Sequence, residues 1–306
     1  MAIINSMGVG KARGSMGNVT YRTVKGQTIG SQKIDKGAQL LGTLSQVQRR
    51  VRMANLVFAY RQINAAGNGA GMYQAFPHRP ARSSNWNEFF RKNINSEAGQ
   101  VALTKEEASR GYMICAPFLV SEGNIEFPDT VNAAAAVAPN GGYNPVLMDD
   151  NALSFGAATA GMGATTDVAT LSAALIQRWG LMDGDIVTVY GIDMAVNNAG
   201  YEVSKVNVVQ FVLNSSDDEN LAVDLGLQVI TSGSTTYLGV TMLGEAAAVV
   251  IGRSLGSSYE VSTSRFALNP SGRQYFQSHS SNSAKSEAAS SYGYKMDPYL
   301  QDGNPQ

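Results

Sequence analysis

Apolar positions recur along this chain with two different periods. Val47, Val51, Ala54 and Phe58 follow one another at helical spacing, and Met53, Leu56, Tyr60 and Ile63 widen the stripe. The pattern predicts an amphipathic helix that ends near 64–67, with Thr43 and Gln46 fitting a capping box at its start. Val168, Leu171 and Leu175 predict a second helix from about Asp167 to Trp179. Asn85 is placed to cap a short helix carrying Trp86, Phe89 and Phe90. Pro77 and Pro80 keep the stretch before it out of a helix interior.

The second period is that of strands. Val19–Val24, the turn Lys25-Gly26 and a return from Gln27 predict a β-hairpin. Residues 101–127 read as β-like, with a helical turn at Thr104–Ser109. After the turn Asp183-Gly184, strands are predicted at 186–192, 201–213, 221–230, 237–243, 246–251 and 259–268. The fold class is therefore α+β, an antiparallel β-rich sandwich or barrel-like sheet with two main helices and extended terminal arms. The chain divides into five regions: a glycine-rich arm and hairpin at 1–36, a basic α+β region at 37–127, an irregular connection at 128–166, a β-rich α+β region at 167–268 and a Ser-rich arm at 269–306. Taken alone, the Ser-rich arm is expected to be disordered, its scattered Tyr275, Phe276, Tyr292, Tyr294 and Tyr299 serving to dock it on a neighbouring subunit.

Composition narrows the function. Charged residues make up only 15% of the 306, against about 25% in an ordinary soluble domain. An exterior of Ser, Asn, Thr and Gly suits a protein largely covered by neighbours. Charge is also uneven: residues 1–110 carry sixteen Lys/Arg against five Asp/Glu, and residues 111–306 carry seven against nineteen. A basic half and an acidic half suit head-to-tail contact between copies, or a polyanion at one end. The basic residues singled out for DNA or a neighbour are Lys11, Arg13, Arg49, Arg50, Arg52 and Arg61. A solvated face is the plainer reading of the same arginines.

Candidate chemistry is sparse. One cysteine, Cys115, allows no internal disulfide and no thiolate zinc site, and two histidines, His78 and His279, leave little for a general base or a metal. Gly252-Arg-Ser254-Leu-Gly256 matches G-x-S-x-G, but residues 258–266 alternate like a strand, so a hairpin turn is expected in place of a nucleophile elbow. The carboxylate groups Asp149-Asp150, Asp183/Asp185 and Asp217-Asp218-Glu219 lack calcium-loop spacing and read as exposed turns. No catalytic, metal or cofactor-binding residue is assigned and no cofactor is implied. The apolar stretch 246–251 is too short to cross a membrane, and the start of the chain lacks a signal-peptide pattern, so no membrane partner is expected.

The stretch Gly14-Ser-Met-Gly17-Asn18-Val-Thr-Tyr21-Arg-Thr-Val-Lys-Gly26-Gln resembles a glycine-rich N-terminal hairpin of proteins from Bacteroidetes and their phages, and Tyr259–Leu268 looks like the closing strand of the same group. Similar proteins of crAss-like phages form stacked tail or connector rings. The resemblance implies a virion structural protein, a homo-oligomeric ring in the head-to-tail connector or tail that forms part of the DNA conduit. Its implied partners are copies of itself, the portal or adjacent tail rings, and packaged DNA through non-specific contact. It carries no catalytic residue onto this chain. Two other readings stay open: a host- or glycan-binding fibre module and, remotely, a serine hydrolase acting through Ser254.

Overall fold

A computed structural model describes residues 2–4, 14–24, 27–32, 41–42, 44–66, 74–125, 147–149, 152–196, 202–217, 225–240, 244–268, 270–293 and 295–296. The chain forms two compact units, residues 1–47 with 294–306, and residues 48–293.

The smaller unit is built on an antiparallel sheet of four strands, β1 (Ala2–Ile4), β2 (Gly14–Met16), β3 (Val19–Val24) and β4 (Gln27–Gln32), in the order β1-β4-β3-β2. The expected hairpin is β3 with β4, in register from Val19 opposite Gln32 to Val24 opposite Gln27. The tip residues Lys25 and Gly26 lie outside the described residues. The two-residue turn Gly17-Asn18 joins β2 to β3, and Gly17 takes φ +56°, where a side chain is disfavoured. A parallel pair, β5 (Leu41–Gly42) with Lys295–Met296, completes the unit's described strands.

The larger unit is organised by one sheet buried on both faces. Helix α1 (Leu44–Ala66), which starts at the boundary between the units, is followed by α2 (Asn85–Asn93), α3 (Lys105–Ser109), β6 (Leu119–Ser121), β7 (Leu147–Asp149), β8 (Ala152–Ser154) and α4 (Val168–Trp179). Then come β9 (Ile186–Val196), β10 (Glu202–Val212), β11 (Gln228–Ser232), β12 (Thr235–Val240), β13 (Gly244–Leu255), β14 (Ser258–Val261), β15 (Ser264–Arg265) and β16 (Ala267–Leu268). The central sheet runs β10-β9-β13-β14, with β16 also on β13. Along β13, Ala246, Ala248 and Val250 enter one core while Ala247, Val249 and Ile251 enter another. That is why this strand reads as an unbroken apolar run where alternation would be the rule for a one-sided sheet. The first core holds α1, α2 and the 112–120 segment; the second holds α4, Phe155 and Leu238. The α+β class with antiparallel sheets holds, and the described strands close no barrel.

Local signals explain the ends of the helices. Asp167 caps α4 by accepting a 2.7 Å hydrogen bond from the Thr170 amide, and Gly180 ends it at φ +67°. Thr104 and Glu107 form a capping box on α3. For α2 the cap is Ser84, one residue before the expected Asn85, whose own side chain is buried and accepts from the Phe76 amide. The proposed cap Thr43 lies outside the described residues. Of the expected α1 stripe, Val47, Val51, Leu56 and Ile63 are buried, Ala54, Phe58 and Tyr60 are half-buried and Met53 is 50% exposed, while Asn55 and Ala59 take the remaining buried places. A polar residue can occupy the stripe because the Asn55 amide donates to the Val101 carbonyl at 3.1 Å.

The Ser-rich arm needs correction over 270–293. There the chain forms α5 (Pro270–His279) and α6 (Asn282–Ser291), with Ala288 and Ala289 fully buried. The Ala102 amide donates to the His279 carbonyl at 2.9 Å and the Lys105 amide to Ser291 Oγ at 2.8 Å. Satisfied backbone groups and two small buried alanines thus hold a segment whose composition promised only a tether.

Candidate functional site

The arginines of α1 divide by depth. Arg49, Arg50 and Arg61 are exposed. Arg52 is half-buried and donates to the Gln100 side-chain oxygen. Burial, with the Arg52 charge adding to it, lowers the pKa of Lys285 on α6. Lys11 and Arg13 lie outside the described residues.

Of the aromatics expected to anchor the C-terminal segment, Tyr275 and Phe276 pack against the larger unit's own first core. The Tyr275 ring lies 4.0 Å from that of His279. Tyr292 is half-buried at the end of α6, and Tyr294 and Tyr299 lie outside the described residues. His279 approaches Glu107 at 3.8 Å. His279, then the Thr104 amide and hydroxyl at 2.7 and 2.8 Å, outweigh burial and draw the Glu107 carboxyl down to about 2.

The G-x-S-x-G residues lie on a hairpin. Ser254 is an exposed residue of β13 opposite Tyr259, and Gly256 makes the turn into β14 at φ +68°. No strand-to-helix elbow forms here. Arg253 of this motif grips Asp185, which is 1% exposed. The expectation of exposed turns at Asp183/Asp185 therefore holds for Asp183, which accepts from Ser215, and fails for Asp185, whose burial is offset by the guanidinium. Among the described residues no three His, Cys, Asp or Glu side chains are placed to hold a metal ion, and no helix is long and apolar enough to cross a membrane.

The sequence did not single out a cleft of about 750 Å³ in the larger unit. Tyr60 of α1, Trp86 of α2 and Tyr259 of β14 line it, together with Asn64, Gln74 and Arg79. The Tyr60 and Trp86 rings meet edge-on at 5.0 Å, and Phe90 supports Trp86 at 5.6 Å. Tyr259 Oη would be only 1.9 Å from a β-carbon placed on Gly252, so the ring needs a glycine beneath it. Burial raises the pKa of Tyr60 and, with the Asp185 carboxylate adding to it, that of Tyr259. Arg79 is fixed by neutral acceptors alone: Nε donates to Ser83 O at 3.0 Å, and Nη1 to Phe76 O at 3.0 Å and Asn85 Oδ1 at 3.4 Å. Each aromatic, read along the chain, passes for an ordinary core or strand residue; only the fold brings the three together.

The chain matches no protein-family model, no curated protein and no solved structure.

Proposed function

We propose that this protein is a non-catalytic structural subunit of a bacteriophage virion, assembled as a closed ring of identical copies in the head-to-tail connector or the tail. The observation that carries this reading is the edge of the central sheet. β10 is eleven residues long, pairs with β9 along its whole length and has no strand on its other side among the described residues. Long edges invite pairing with another chain, and soluble monomers usually blunt them. A subunit that meets its neighbour head to tail gives such an edge a partner and, when the rotation closes, makes a ring.

Three further features support it. The basic first third and acidic remainder of the chain are complementary between successive copies. The exposed Arg49, Arg50 and Arg61 can face a neighbour or the phosphates of DNA passing through the ring. The glycine-rich hairpin resembles that of phage ring proteins. Mass photometry and negative-stain microscopy of the purified chain are expected to show rings of uniform size that loosen as salt is raised. A monomer that persists at high concentration and low salt would sink the reading. DNA retention that falls steeply with salt would assign the α1 arginines to the conduit, and retention indifferent to salt would assign them to the neighbour.

A further inference from the structure

We propose that the cleft between Tyr60, Trp86 and Tyr259 binds a short saccharide carrying a carboxylate. This goes beyond the ring reading and does not depend on it. The cleft, at about 750 Å³, has room for two or three sugar rings. The three aromatics stand on α1, α2 and β14, and the 74–84 segment that carries Gln74 and Arg79 closes the cleft, tied to itself by the Arg79 hydrogen bonds. The aromatic wall is braced from behind: Trp86 rests on Tyr60 and Phe90, and Tyr60 in turn lies 5.4 Å from the fully buried Phe89. The negative π-faces of such rings suit the weakly positive C–H face of a pyranose.

The polar groups point to the same ligand class. The side chains of Asn64, Gln74 and Ser258 line the cleft and form no hydrogen bond among the described residues, leaving amide and hydroxyl groups of the kind that pair with sugar hydroxyls. Arg79 supplies the charge. Nε and Nη1 are committed to neutral oxygens, while Nη2 makes no hydrogen bond and the guanidinium pairs with no acidic side chain among the described residues. A cation held in place with donors to spare suits a carboxylate. A nucleic-acid strand fits less well, because a run of phosphates needs several cations and Arg79 is the one Arg or Lys among the described residues that line the cleft.

The test uses the full chain. Tri-galacturonate and sialyllactose, each beside its neutral methyl ester, are titrated by calorimetry and by tryptophan fluorescence. Trp86 lines the cleft, and the other tryptophan, Trp179, is buried in the second core, so a ligand-dependent quench reports the cleft. At least one of the acids is expected to saturate with Kd at or below about 1 mM, and its ester to bind about tenfold more weakly. Arg79→Gln is expected to erase that difference between acid and ester. Because Arg79 also ties its own loop, the double variant Asn64→Ala/Gln74→Ala provides a second measurement: it should melt with the parent and bind both acid and ester more weakly. The proposal is overturned if neither saccharide saturates, if acid and ester bind alike, if the double variant binds as the parent does, or if a proline-rich peptide or an oligothymidylate binds more tightly than either acid.

Discussion

Arg253 holds Asp185 through two parallel hydrogen bonds, Nε to Oδ1 at 2.7 Å and Nη2 to Oδ2 at 2.6 Å, where the carboxylate is almost wholly removed from water. The carboxylate also accepts from the Met182 amide at 2.8 Å, so one group closes the turn before β9 and pins that turn to β13. Asp185→Asn takes the buried counter-charge away from the half-buried guanidinium and is expected to cost about 2 kcal/mol in urea unfolding. The double variant Asp185→Leu/Arg253→Met is expected to be less damaged than Asp185→Asn alone, since no buried charge is then orphaned. Equal damage in both would contradict it.

Gly252 and Ser254 occupy neighbouring places in the same motif and make opposite predictions. Gly252→Ala drives a β-carbon into Tyr259 and is expected to cost about 1–3 kcal/mol, with near-ultraviolet dichroism reporting the displaced ring. Ser254→Ala, at an exposed strand position, is expected to shift stability by less than about 0.5 kcal/mol and to leave background ester hydrolysis unchanged.

Tyr190 is fully buried, and its hydroxyl has no hydrogen-bond partner among the described residues. Burial raises its pKa, which keeps the phenol neutral across the ordinary pH range. Removing an unsatisfied hydroxyl removes its desolvation cost. Tyr190→Phe is therefore expected to stabilise the chain by about 1 kcal/mol, read as a higher denaturant midpoint at unchanged slope.

Glu107 links the α3 cap to α5. Its folded pKa, about 2, lies below the ordinary 4.5 of the unfolded chain. The stability it contributes is present in full above 4.5 and is lost as pH falls from there through 2. Glu107→Gln is expected to lower stability at neutral pH by about 1 kcal/mol, modest because the side chain is about one-third exposed, and to flatten the acid limb of the stability–pH curve.

Much of the fold was legible because it rests on local chemistry. The helices expected to start at Asp167 and Thr104 do start there, with those two side chains as caps, and the run Ala246–Ile251 announces a strand. The C-terminal helices were not legible, because Asn282–Ser291 offers only alanines to a core and its serines dilute the helical stripe. Their stability comes from tertiary contacts that periodicity does not record. Asp185 was misread for a related reason: its partner, Arg253, is supplied by a strand far along the sequence. The cleft stayed hidden in the same way, since Tyr60, Trp86 and Tyr259 belong to three separate segments and nothing local distinguishes a wall from a core.

β13 is a partition with an interior on either side of it. Swelling either interior moves the wall of the other, and melting either one wets a face that the other had kept dry. The larger unit therefore has no cheap way to come apart by halves, and the amide protons along Val249–Ile251 will exchange with solvent only when the whole unit opens at once.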